Sequence, residues 1–202
     1  MAIINHPEKV IHFKVVYYGT GVAGKTANLQ YVHRCLPDPN KGNMISLATG
    51  DDRTIFFDFL PVSALVVRGF ETRFQLYTVP GQVHYNMTRR LVLRGVDGLV
   101  FVADSQFERL RDNIESLRNL EDNLGQYGHA LDDVPYVIQY NKRDLPNAAP
   151  IDYLEYVLNR RKRRVPFFEA VATDGKGVFD TLNTVSRMVL AHEFGDGQKG
   201  AP

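Results

Sequence analysis

The sequence predicts an α/β fold in which a six-stranded, mostly parallel sheet with one antiparallel strand carries helices on both faces. Two observations support this. Apolar runs alternate with helical patterns along the 202 residues, the arrangement that produces a parallel sheet covered on both sides. In one place only, between 54–60 and 70–78, two apolar runs are separated by a connection (Pro61 to Gly69) too short for a helix, so these two strands should pair antiparallel.

The strand candidates are 11–18, 54–60, 70–78, 98–103, 134–140 and 165–171. The clearest helix is 107–127. There Leu110, Ile114, Leu117, Leu120 and Leu124 form one apolar stripe, and Gly128 stands where a left-handed residue would end the helix. Segment 177–192 repeats the pattern with Val178, Leu182, Val185, Val189 and Leu190. Both stripes read as core-facing. One domain over residues 1–193 is expected, followed by a flexible tail over 194–202.

The bulk numbers exclude several classes. A net charge of +1 offers no basic excess with which to bind nucleic acid. Cys35 is alone, so no intramolecular disulfide forms, and the six histidines show no metal-ligand spacing. Neither a signal-peptide core nor an apolar run of membrane-spanning length is seen, and neither end carries a lipidation motif. The expectation is a cytoplasmic protein without a lipid anchor, monomeric on its own.

Residues 19–26 read Gly-Thr-Gly-Val-Ala-Gly-Lys-Thr, a complete G-x-x-x-x-G-K-[ST] phosphate loop between the strand ending at Tyr18 and a helix beginning near Lys25. Backbone N–H groups of Gly19, Gly21, Val22, Ala23, Gly24, Lys25, Thr26 and Ala27 line such a turn and the positive end of the helix that follows. Lys25 would reach the β- and γ-phosphates, and the Thr26 hydroxyl would bind Mg²⁺. The chemistry requires a nucleoside triphosphate.

Asn141-Lys142-Arg143-Asp144 follows the buried run Tyr136 to Tyr140. An N-K-x-D at a strand end reads guanine. The Asp144 carboxylate accepts from guanine N1–H and the 2-amino group, which adenine cannot offer, and such sites reject the wrong analogue by roughly 10⁴–10⁵. Asn141 would tie this loop to the phosphate loop, and the Lys142 stem would lie along the base. The ligands are therefore GTP and GDP with Mg²⁺.

The motif order is phosphate loop, threonine-bearing loop, Pro80-Gly81-Gln82, N-K-x-D, then Glu169-Ala170-Val171-Ala172-Thr173. It resembles the small Ras-like GTPases, and among them the MglA family of bacterial polarity and gliding-motility GTPases. The strings that carry the likeness include Lys14 to Gly19, Arg53 to Pro61, Leu76 to Val83, Leu93 to Gly98, Phe101 to Ser105 and Tyr136 to Pro146. The match as a whole spans roughly residues 10 to 192. The resemblance implies the Ras-like P-loop fold and a set of roles. Thr54 would close on Mg²⁺ and the γ-phosphate, and Gly81 would donate its N–H to that phosphate. Gln82 would orient the attacking water, and Arg53 would act as an arginine finger in cis, worth roughly 10³–10⁵ in rate. Val171, Ala172 and Thr173 would complete the base site. It also implies a GTP/GDP switch governing polarity and motility (gliding or type IV pili), effectors that read the GTP state, and recruitment to a cell pole through partners. The activator implied is an MglB-like Roadblock/LC7 homodimer.

The chain departs from the small-GTPase pattern at Thr78-Val79-Pro80-Gly81, where D-x-x-G is usual. The outer carboxylate of the metal site is thus expected to be missing, and Asp58, within a strand pattern away from that loop, is not expected to replace it. Gly50 should loosen the threonine-bearing loop that holds Thr54. Arg160 to Arg164 form a basic run between helix and strand, read as a solvated connection or a contact for an acidic surface. Two rival functions are an interaction scaffold that binds GTP without hydrolysing it and a P-loop kinase of a small metabolite. The N-K-x-D motif has no place in the latter.

Overall fold

A computed structural model describes residues 2–47, 57–81, 85–160 and 164–195. In chain order the elements are β1 (Ile3–Asn5), β2 (Val10–Tyr18), α1 (Lys25–Cys35), β3 (Ile45–Leu47), β4 (Phe57–Val67), β5 (Phe70–Thr78) and α2 (Asn86–Leu93). They continue with β6 (Gly98–Asp104), α3 (Leu110–Gly125), β7 (Tyr136–Asn141), α4 (Ile151–Leu158), β8 (Phe167–Glu169) and α5 (Val178–Phe194).

The α/β class and the mostly parallel sheet are as the sequence predicts. Among the described residues the sheet has eight strands rather than six, in the order β3-β4-β5-β2-β6-β7-β8, with β1 also paired to β2. The two additions are three-residue strands, β1 antiparallel to β2 and β3 antiparallel to β4. Such short pieces carry too little period-two signal to be read from sequence. β4 also runs on to Val67 instead of stopping at Leu60. It turns through Arg68 and Gly69, both at positive φ (50° and 82°), into β5, as a two-residue hairpin requires. Between Ser63 and Val66 its register against β5 slips, a bulge that absorbs one residue.

The parallel strands β2, β6 and β7 are buried along their whole length or nearly so, which is why they read as continuous apolar runs. Alternate residues feed two cores. Phe13, Val15, Tyr17, Val100, Val102 and Val137 pack with Leu29 and Val32 of α1 and with Val178, Leu182, Val185 and Val189 of α5. On the other face Val16, Tyr18, Leu99, Phe101, Tyr136, Ile138 and Tyr140 pack with Leu120 and Leu124 of α3 and Leu154 and Leu158 of α4. Both stripes read from the sequence therefore face the core. Gly128, at φ 75°, follows the α3 helix, and His129 N–H donates to the Leu124 carbonyl at 3.2 Å, closing its end.

One polar cluster pins the phosphate-loop end of the core. Asn28 and Gln139 exchange amide hydrogen bonds at 2.8 and 2.9 Å, and Gln139 also donates to Thr181 Oγ1 at 3.0 Å. All three side chains are fully buried. This explains a glutamine inside a central strand: its polar atoms join α1, β7 and α5.

Candidate nucleotide site

β2 ends at Tyr18 and α1 starts at Lys25, so residues 19–24 form a tight turn at the carboxyl edge of the parallel strands, where α/β sheets bind ligands. Two glycines are dictated by contact. A Cβ at Gly19 (φ 147°) would collide with the Val102 carbonyl, and one at Gly24 (φ 101°) with the Asn141 amide. Asn141 in turn donates from Nδ2 to the Ala23 carbonyl at 2.8 Å and accepts from Ala172 N–H at 2.9 Å. One side chain thus links the phosphate loop, the N-K-x-D loop and the loop after β8.

These segments surround a cavity of about 750 Å³. Its walls include Gly21, Val22, Gly24, Lys25, Thr26 and Ala27 at one end, and Asn141, Lys142, Asp144, Val171, Ala172 and Thr173 at the other. The size and the residues at its two ends suit a nucleotide. Asp144 is exposed at the rim. Its selectivity therefore depends on a base covering it, not on burial already present. Lys142, at φ 64°, has its ammonium 2.6 Å from the buried Asp104 carboxylate, which fixes the stem expected to flank the base.

Lys25 is buried and donates to the carbonyls of Gly19 at 2.9 Å and Thr20 at 2.6 Å. Burial, reinforced by the Arg89 charge and partly offset by Asp58, pulls its pKa down to about 7. A phosphate chain beside it would restore the charge.

Asp58 corrects the sequence reading. It lies next to the Phe59–Tyr77 pair of the β4–β5 hairpin, and its N–H donates to Thr78 Oγ1 at 2.8 Å. Its carboxylate accepts from Thr26 Oγ1 at 2.6 Å, Thr78 Oγ1 at 2.9 Å and Ser46 Oγ at 2.7 Å. The carboxylate absent from the Thr78 position is supplied by the neighbouring antiparallel strand. Twenty residues of sequence separation hid this, and the one available signal was a lone acid in the apolar run Ile55 to Leu60.

The donor set fits Mg²⁺. The Thr26 hydroxyl gives its proton to Asp58 and keeps lone pairs for a cation, the outer-carboxylate pattern that orients a metal ligand. Among the described residues no group of three His, Cys, Asp or Glu side chains could hold a metal by itself; besides Thr26 and the expected Thr54, which lies outside the described residues, the ligands would be phosphate and water oxygens, as is usual for Mg²⁺.

Gly81 packs so closely on the phosphate loop that a Cβ there would strike Gly21. Arg89, buried on α2, holds this segment by donating to the Pro80 carbonyl at 2.8 Å, the Gly81 carbonyl at 2.6 Å and Asn119 Oδ1 at 2.7 Å. Motif reading did not single out Arg89. Arg53, Thr54 and Gln82, the expected catalytic residues, lie outside the described residues, as do Gly50 and residues 161–163 of the basic run. Arg160, at its start, stacks over the Tyr156 ring at 4.8 Å and donates to its hydroxyl at 2.8 Å.

The sequence profile of the ADP-ribosylation factor family matches residues 59–189. The chain is also 55% identical over 190 residues to the mutual gliding-motility protein MglA of Myxococcus xanthus (strain DK1622), a match covering 94% of this chain and 96% of that one.

Proposed function

The chain belongs to the ADP-ribosylation factor family of Ras-like small GTPases and to its MglA branch, and we propose that it is a GTP/GDP switch for cell polarity and motility. It is a GTP-hydrolysing enzyme of that family. The observation that carries the reading is the single cavity joined by Asn141, with phosphate-loop groups at one end and Asp144 at the other.

In this reading the backbone N–H groups of residues 21–27 and the α1 dipole hold the phosphates, and Lys25 neutralises the β- and γ-groups. Asp144 reads guanine, with Val171, Ala172 and Thr173 closing over the base. Mg²⁺, when bound through Thr26 and Thr54, supplies charge neutralisation at the phosphates. Asp58 orients the Thr26 oxygen. Gly81, fixed by Arg89, offers its N–H to the γ-phosphate; Gln82 positions water; Arg53 draws off the charge that develops on the transferring group.

The partner proposed is an MglB-like Roadblock/LC7 homodimer acting as activator, with effectors that read the GTP form and carry the chain to a cell pole. Among the described residues no helix is long and apolar enough to cross a membrane. The near-continuous apolar run from Ile55 to Leu60 specifies strand register weakly. A shift of β4 along β5 between the GDP and GTP forms is the device proposed for switching.

Titration calorimetry with GDP, GTP and ATP in the presence of Mg²⁺, followed by single-turnover hydrolysis with and without an MglB-like homodimer, tests the proposal. Guanine-selective binding with activator-stimulated release of phosphate is expected. Equal heats with adenine nucleotides, or turnover indifferent to the activator, would refute it.

A further inference from the structure

The connection from β6 to α3 touches both ends of the nucleotide cavity. At the base end the buried Asp104 holds the Lys142 ammonium, and Gln106 Nε2 donates to Asn147 Oδ1 at 3.2 Å. At the phosphate end Arg109 Nη2 donates to the Gly21 carbonyl at 3.0 Å, while its Nη1 lies 2.6 Å from Asp112 Oδ2. Nothing in the mechanism above uses Arg109.

The Gly21 carbonyl shares a peptide unit with the Val22 N–H. No peptide in the described chain is cis, so these two groups point in opposite directions across one rigid plane. Arg109 fixes the oxygen on the α3 side. The N–H is thereby turned away from Arg109, and Val22 is one of the residues that line the nucleotide cavity. Val22 itself is at φ 64°, a left-handed conformation that β-branched residues avoid, and its side chain is 84% exposed. Side-chain packing is thus a weak restraint on this peptide, and the guanidinium hydrogen bond is a strong one. A cation on the carbonyl also polarises the peptide, strengthening the N–H as a donor to an anion.

We propose that Arg109 is a positioning residue, which holds the strained Gly21–Val22 peptide so that the Val22 N–H meets a phosphate of the bound guanine nucleotide. The inference rests on the nucleotide-site reading above. The phosphate meant in this proposal is the β group, which GDP and GTP share, so both should feel its loss equally.

The test uses the full chain and compares R109A, R109K and the double variant R109A/V22G. The readouts are affinity for fluorescent GDP and GTP analogues and the ³¹P spectrum of bound GDP. R109A should weaken both nucleotides by one common factor, roughly tenfold for a charge-assisted hydrogen bond, and should shift the phosphorus resonances. R109K should recover part of the loss. V22G should recover part of it independently, because glycine adopts φ 64° without strain. The inference is overturned if R109A binds GDP as the wild type does, or if its deficit is untouched by both rescuing changes. Failure of the wild-type chain to bind GDP would be a different result, removing the functional reading itself.

Discussion

The Asp58 carboxylate accepts a 2.6 Å hydrogen bond from the Thr26 hydroxyl, though 32 positions separate the two residues. The same carboxylate joins Ser46 and Thr78, so one side chain from β4 gathers the phosphate loop, β3 and the strand end that leads to Gly81. We expect Asp58→Ala to weaken Mg²⁺ binding by about 10–100-fold, the usual cost of losing an outer-shell partner. GDP release measured against Mg²⁺ concentration would display this as a rightward shift, and an unchanged Mg²⁺ midpoint would exclude the role.

Lys25 gives a pH dependence with a definite sign. Its pKa is near 7 in the nucleotide-free fold, against 10.5 for an ordinary lysine. Between these values the unfolded chain binds more protons than the folded one, so the nucleotide-free protein gains stability as pH rises through the window. Nucleotide binding should reverse the depression and take up close to one proton at pH 8. Affinity should therefore fall above about pH 7. Calorimetry in buffers of differing ionisation enthalpy measures the uptake directly, and heats independent of buffer would contradict it.

Gly21 and Gly81 face each other but differ in tolerance. A Cβ on Gly21 meets only the Gly81 backbone at 3.8 Å, whereas one on Gly81 collides with Gly21. Gly21→Val should thus leave GTP binding intact while its branch occupies the space where Arg53 and Gln82 are proposed to converge, slowing hydrolysis. Gly81→Ala should push the Pro80-Gly81 segment off the phosphate loop and lower affinity for GTP more than for GDP. Equal losses for both nucleotides in Gly81→Ala would count against γ-phosphate contact.

Gln82→Ala should abolish most activator-stimulated hydrolysis with little change in GTP affinity. Stimulated turnover that survives would reject its water-positioning role.

Gln139→Leu should destabilise the fold by about 1–3 kcal/mol, since it leaves the buried Asn28 Oδ1 without its donor, while Asn28 Nδ2 keeps the Gly24 carbonyl and the Thr181 hydroxyl keeps the Gly177 carbonyl. Urea unfolding would report this as a lower midpoint at constant slope. A change below about 0.5 kcal/mol would mean that the cluster rearranges at little cost.

What the sequence determined by itself was whatever is encoded over short distances. The phosphate loop, the N-K-x-D loop and the strand–turn–helix around each are local, because their backbones are shaped by glycine, by strand runs and by helix starts lying next to one another. The same holds for the stripes of α3 and α5, whose 3.6-residue period needs no partner to be seen. Tertiary structure decided what depends on register. Asp58 reaches Thr26 only because β4 folds back antiparallel on β5 with Phe59 opposite Tyr77; a slip of one residue would turn its carboxylate to the other face of the sheet. Arg89 and Arg109 likewise act on backbone carbonyls, and a carbonyl carries no mark in sequence of which distant guanidinium will reach it.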